Sequence, residues 1–173
     1  RNNFSGQLVF PSDLKVLSDY AFHQNPRISG KIIIPENISY ISEGLFDYCD
    51  QIEGVILHKF INVIGPNAFR DCFNINSIIC ESANPPDVGT NAFAGVPKDN
   101  FTVQVPQSAI SSYQTAPGWN DFLRFSAYKD FSISRNHIST LNNSYEKELI
   151  VRAPSDEAWE VTSKPDWVTV NMM

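Results

Sequence analysis

Apolar residues return along this chain at a nearly fixed distance. Phe22, Phe46, Phe69 and Phe93 follow one another at 24, 23 and 24 residues, and each is preceded by alanine except Phe46, which follows Leu45. Other positions move with them. Leu14 and Leu17 recur as Ile38 and Ile41, then as Ile61 and Ile64, with Val88 in the fourth copy. Beyond the phenylalanines stand Asn25 and Ile28, then Cys49 and Ile52, then Cys72 and Ile75, always at the same two offsets. Short alternating segments follow, and alternation of this kind predicts strands: Leu8-Val9-Phe10, Ile32-Ile33-Ile34, Val55-Ile56-Leu57, Ile78-Ile79-Cys80 and Val103-Gln104-Val105. Pro11, Pro35 and Pro106 end three of these segments, because proline has no N–H to give to a ladder. The one-residue variation in period falls in a bend: Ser29, Gly30 and Lys31 separate Ile28 from Ile32, whereas only Glu53 and Gly54 separate Ile52 from Val55.

A turn of about 23 residues cannot enclose its own apolar side chains, so successive turns must stack and share one core. The pattern therefore predicts a mainly β solenoid with short parallel strands. Equivalent residues should form ladders roughly 4.8 Å apart, the phenylalanines among them. After Pro106 the strand pattern stops. Ser108 reads as a helix N-cap, opening a short helix to Thr115 that ends before Pro117-Gly118. Ile110, Tyr113, Trp119 and Phe122 would cover the last turn, as a terminal repeat requires. Nothing comparable precedes Leu8, so the expectation is an array that begins further upstream.

From Phe125 the repeat disappears. Phe131-Ser-Ile-Ser, Glu148-Leu-Ile-Val-Arg, Trp159-Glu-Val-Thr and Trp167-Val-Thr-Val read as four short strands. The expected organisation is a repeat domain at 1–124 and a small or incomplete β-sandwich-like domain at 125–173, since sandwich modules need roughly 100 residues.

If the first and third residues of each strand point inward, the middle ones point out. These are Val9, Ile33, Ile56, Ile79 and Gln104, an apolar outward stripe that is a candidate partner surface. Sheet-forming propensity alone is the competing explanation for it. Tyr20, Tyr40, Tyr48 and Phe73 are candidates to enlarge the surface, and Trp159 and Trp167 are candidate glycan platforms or core residues.

Composition narrows the functions. With 13 Lys+Arg against 19 Asp+Glu the formal net charge is -6, which disfavours nucleic acid and anionic membranes as partners. No run of apolar residues is long enough to span a membrane. The three histidines, His23, His58 and His137, fall at unrelated positions, and no metalloprotease, CxxC, phosphate-loop or serine-elbow motif occurs. No catalytic, cofactor or metal site is expected. Cys49 and Cys72 share one repeat position and Cys80 takes the place of Ile34 and Leu57, so buried free thiols are the preferred reading, with a Cys49–Cys72 disulfide as its rival. Asp47, Asp50, Asp71 and Asp87 read as bend residues that bond their own backbone.

The run from Ala68-Phe69 through Cys72 and Ile75 to Ile78 resembles the BspA-like leucine-rich repeats of bacterial surface proteins. Ser77 to Pro86, Asn91 to Pro97, Val105-Pro106 and Ala116 to Trp119 resemble the closing repeat and cap of Bacteroidales members, so the likeness covers residues 6 to 124. His58-Lys59 departs from the family's Pro-containing turn. The tail from Trp159 to Val170 is similar to a BACON or related sandwich module. These resemblances imply a secreted or surface-attached protein, non-catalytic, engaged in adhesion to a host matrix or bacterial protein. A structural spacer and a carbohydrate-binding module are the alternatives they leave open.

Overall fold

The computed structural model describes residues 4–128 apart from Ser12, together with the backbone of Ile133, Ser134, Ile150 and Val151. The chain divides into two compact units, Arg1–Tyr128 and Lys129–Met173. In the first, strands follow in the order β1 (Gly30–Ile33), β2 (Tyr40–Ile41), β3 (Ile52–Leu57), β4 (Val63–Ile64), β5 (Ser77–Cys80), β6 (Asp87–Val88), β7 (Thr102–Val105) and β8 (Arg124–Ala127), with the helix α1 (Ile110–Thr115) between the last two. Each turn places one strand in each of two parallel sheets. The larger has the order β1-β3-β5-β7-β8 and the smaller β2-β4-β6. This is the mainly β, parallel-stranded repeat architecture that the period demands. In the second unit, β9 (Ile133–Ser134) pairs antiparallel with β10 (Ile150–Val151). The two strands expected around Trp159 and Trp167, and both indoles, lie outside the described residues.

Repeat equivalence becomes physical register in the large sheet. Ile32, Val55, Ile78, Val103 and Phe125 are paired in succession, and so are Ile33, Ile56, Ile79, Gln104 and Ser126. The register slips between Gly30 and Lys31, in the bend that carries the extra residue. The phenylalanines stack almost face to face: Phe22–Phe46, Phe46–Phe69 and Phe69–Phe93 have centroids 5.4, 5.6 and 5.7 Å apart and planes within 12°. Edge-on rings close the stack at both ends, Phe4 and Phe10 against Phe22 and Phe122 against Phe93. The inner strand residues and Leu45, Ile52, Ile61, Ile64 and Ile75 complete a continuous core.

The backbone flanking each phenylalanine obeys a rule of its own. Two residues before and two after, the chain adopts positive φ: Tyr20 and Gln24, Gly44 and Tyr48, Asn67 and Asp71, Asn91 and Gly95, at φ between 55° and 78°. These residues are placed so that every second N–H crosses to the next turn. Tyr20, Phe22 and Gln24 donate to the carbonyls of Glu43, Leu45 and Asp47, and Gly44, Phe46 and Tyr48 donate to those of Pro66, Ala68 and Arg70. The intervening N–H groups bond back three residues, as in Leu45 to Ser42 and Asp47 to Gly44. The buried turn thus satisfies its polar groups in two directions, which offsets the cost of left-handed backbone at non-glycine residues.

Two expectations are corrected. Leu8-Val9-Phe10 is not a strand; only Gly6 bridges the sheet, pairing with Ile28. Leu8 and Phe10 still turn toward the core while Val9 points out, so the side chains alternate without a ladder. Ser108 does not cap a helix. It lies in a tight 3-10 turn over Gln107–Ala109, and α1 starts after Ala109 with no side-chain cap bond. What holds α1 is tertiary: the buried Tyr113 hydroxyl donates to the Ser82 carbonyl at 2.9 Å, and Trp119 Nε1 donates to that of Pro86 at 2.8 Å.

Candidate recognition surface

The parallel sheet sets the geometry of the outer stripe, because register fixes which side chains form one row. Val9 is 86% and Ile33 56% exposed, whereas Ile56, Ile79 and Gln104 are half-buried by their neighbours in the sheet. Alongside runs a second outward row, Lys31, Gly54, Ser77, Thr102 and Arg124, also in register. Its middle is low: a side chain at Gly54 would begin 3.1 Å from Ser77 Oγ. The face is therefore an apolar ridge of isoleucines beside a shallow polar row with a cation at each end.

The tyrosines stand on other parts of the turns. Tyr40 belongs to the smaller sheet, and Tyr20 and Tyr48 occupy left-handed positions beside the phenylalanine stack. The Tyr20 ring lies against Gly44, where a Cβ would fall 2.2 Å from its Cε1, and its hydroxyl donates to Glu43 at 2.5 Å. Glu43 in turn raises the Tyr20 pKa, first by that hydrogen bond. At Gly65 a Cβ would meet the Ile41 carbonyl at 2.7 Å and the Tyr40 hydroxyl at 2.8 Å. Both tyrosines lie against a glycine of the following turn while remaining 42–45% exposed. Phe73 is exposed as well.

A polar cluster that sequence reading missed lies one residue beyond the phenylalanines. There His23, Asp47 and Arg70 stack in consecutive turns. Asp47 is fully buried; Arg70 donates to it twice, Nε to Oδ1 at 2.8 Å and Nη2 to Oδ2 at 2.6 Å. His23 Nδ1 lies 3.2 Å from Oδ2. Hydrogen bonding to this carboxylate raises the Arg70 pKa above its ordinary value. Arg70 also lies over the Tyr48 ring at 5.3 Å, and His23 meets Tyr20 and Tyr48 edge-on. Asp47 is thus not a bend residue bonding its own backbone. Aligning the copies one residue past each phenylalanine would have exposed the sequence His, Asp, Arg. Arg70 and Asp47 tie two successive turns together, and His23 of the preceding turn packs against the pair.

His58 explains how one turn manages without proline. Its Nδ1 accepts the Phe60 N–H at 3.2 Å, so the ring proton sits on Nε2, 2.9 Å from the Ile38 carbonyl to which it donates. One imidazole shapes its own bend and binds the preceding turn.

The thiols serve packing. Cys49, Cys72 and Cys80 are free and buried, which decides against a Cys49–Cys72 disulfide. Cys49 Sγ donates to the Phe22 carbonyl and Cys72 Sγ to that of Phe46, at 3.0 and 3.1 Å; Cys80 Sγ lies 3.2 Å from the Tyr113 hydroxyl oxygen. Burial pushes the Cys49 thiol up to about 11 and raises Cys72 and Cys80 as well. Unfolded thiols lose their protons first, so this contribution to stability is complete below pH 9 and falls as pH rises through 11. A thiol reagent added at neutral pH is expected to label none of the three until denaturant is present. Rapid labelling of the native protein would contradict their burial.

Among the described residues, no cluster of His, Cys, Asp or Glu could hold a metal ion, and no helix is long and apolar enough to cross a membrane. The family model described as BspA type leucine rich repeat region matches residues 2–116 in 6 copies. No curated protein matches the chain.

Proposed function

Because the chain belongs to the BspA-type leucine-rich-repeat family, whose repeats are non-catalytic, protein-binding scaffolds, we propose that it is the recognition module of a secreted or surface-attached adhesin. Its partner would be a protein of the host matrix or of another bacterial cell, held across several turns. The observation that carries this reading is the outward series Ile33, Ile56 and Ile79, continued by Gln104, on the large sheet, with the exposed Val9 ahead of it in a segment that forms no strand. An isoleucine ridge on the outer face of a solenoid sheet is the kind of extended apolar surface that such proteins offer to a partner, although sheet-forming propensity also favours isoleucine there. Tyr20, Tyr40 and Tyr48 extend the contact around the turns. The same reading makes the residues beyond β8 a small β module that spaces the repeats from their neighbours, as the resemblance of the stretch from Trp159 to Val170 to a BACON-like sandwich implies.

Ile56→Asp tests the reading, since it places a charge in the middle of the ridge without opening the core. The variant should stay folded at a cost of about 1–2 kcal/mol, because aspartate is a poor strand residue and Ile56 is half-buried, and should lose binding to matrix proteins measured by surface plasmon resonance. Equal binding by parent and variant would remove the ridge from the interface. No binding by either would favour a spacer. Binding on a glycan array that is lost on changing Trp159 or Trp167 would favour a carbohydrate-binding module instead.

A further inference from the structure

The inward strand residues Ile34, Leu57 and Cys80 are followed by Pro35, His58 and Glu81, one bend for each turn, with Leu57 paired to Cys80 in register. The turns of Phe46 and Phe69, second and third in the stack, make this bend alike: the Pro35 carbonyl accepts the Ile38 N–H at 2.9 Å, and the His58 carbonyl that of Ile61 at 3.1 Å. What proline supplies in one by its fixed φ, an imidazole supplies in the other by hydrogen bonds. His58 is only 6% exposed; its Nδ1 accepts the Phe60 N–H and its Nε2 donates to the Ile38 carbonyl. Only the neutral ring with its proton on Nε2 makes both bonds. We propose that His58 is an acid-sensitive clasp between the second and third turns, closed while its ring is neutral and opened by a proton on Nδ1. The clasp is independent of whatever the outer face of the sheet binds.

A proton on Nδ1 takes the lone pair that receives the Phe60 N–H and sets one N–H against another. The bend then loses its internal bond, and a cation is left where the ring is closed off from water. The bond to Ile38 offers no compensation, because Nε2 donates in either state. Charged groups reach this bend from three turns. Lys59, next to His58 and over the Phe60 ring at 5.1 Å, opposes a second cation. Glu36 of the second turn is exposed, and Glu81, which takes the place of His58 in the fourth, is half-buried. Both would favour a cation, yet among the described residues neither carboxylate comes within ion-pairing distance of the ring. The lost hydrogen bond therefore decides the sign. An imidazole in an unfolded chain takes up its proton at about pH 6.5. Below that pH the unfolded chain binds a proton that the clasped ring excludes, so the clasp contributes in full above it and is lost as pH falls. The bend leads out of β3 two residues after Ile56, so acid loosens the array between interior turns and not at an end.

The test is urea unfolding of the full chain at pH 8 and pH 5, for the parent, His58→Asn and His58→Pro. Asparagine accepts the Phe60 N–H through its side-chain oxygen, as in an Asx-turn, and proline is the residue the second turn carries at this place; neither titrates. His23, His137 and the carboxylates are common to all three proteins and cancel in the comparison. Between the two pH values the unfolding equilibrium constant of the parent should rise about tenfold or more beyond its rise in either variant. Equal pH dependence in parent and variants would overturn the proposal, and so would a parent that gains stability relative to them at pH 5. If neither variant folds, nitrogen NMR of the parent at pH 6 decides. A ring still neutral there with its proton on Nε2, or one whose protonation frees the Phe60 amide to exchange, supports the clasp; a ring protonated there while that amide stays protected overturns it.

Discussion

Replacing Phe69 with alanine is expected to cost the repeat unit about 3–5 kcal/mol, the range for truncating a buried aromatic side chain. Phe69 is fully buried between Phe46 and Phe93, stacked on both faces at 5.6 and 5.7 Å. Neither neighbour can fill the gap, because each is held by its own turn, whose N–H groups cross to the next. Phe22 provides the internal comparison. It is only partly buried, stacked on Phe46 on one side and met edge-on by Phe4 and Phe10 on the other. Phe22→Ala should therefore cost clearly less. Urea unfolding of both variants checks this, with the unfolding slope watched as well. In a stack of turns, weakening one interior interface can uncouple the halves on either side. A broadened or two-step transition for Phe69→Ala is the expected sign. Equal costs at the two positions would mean that the stack does not carry the stability its geometry suggests.

The periodic part of this architecture was legible because one side chain type recurs wherever burial demands it. The phenylalanine stack, the four strands with inward first and third residues, the bend holding the extra residue and the helix closing the array can all be read from spacing. The left-handed pairs beside each phenylalanine could not. They are occupied by Tyr20, Gln24, Gly44, Tyr48, Asn67, Asp71, Asn91 and Gly95, which share no side-chain chemistry, since the condition they meet is a direction of the backbone N–H. β8 was equally hidden. Arg124–Ala127 follows the cap rather than another phenylalanine, and only its pairing with Thr102–Val105 makes it the fifth strand. Leu8-Val9-Phe10 shows the opposite error: its alternation is real, but alternation records which side chains are buried and not whether a ladder forms. Of the candidate surface, the outward direction of Ile33 followed from the pleat, and the exposure of Val9 from side-chain alternation without a ladder. The structural work of Tyr20 and Tyr40 did not, because it depends on glycines 24 and 25 residues further along.

Arg70 leads to the second large effect, and it separates a stack held by apolar ladders alone from one that also depends on a buried charge. Asp47 has no exposure, while the Arg70 side chain keeps 34%. Removing the two partners is therefore not equivalent. Arg70→Met leaves a buried carboxylate without the two hydrogen bonds that pair it, and His23 Nδ1, 3.2 Å away, makes no hydrogen bond to it. Breaking a buried pair in this way costs about 3–5 kcal/mol, and the partial exposure of Arg70 places the expectation near 3. Asp47→Asn keeps the shape and removes the charge, and the arginine it releases can turn toward water, so a loss of about 1–2 kcal/mol is expected, that of hydrogen bonds to a charged group. The double variant should then cost much less than the sum, since with asparagine at 47 no charge is left stranded. This order, Arg70→Met worst, Asp47→Asn milder and the pair strongly non-additive, is measurable by chemical denaturation at neutral pH. Additive effects, or a costlier Asp47→Asn, would show that the carboxylate is solvated without its arginine and that the row His23, Asp47, Arg70 decorates the stack without binding its turns together.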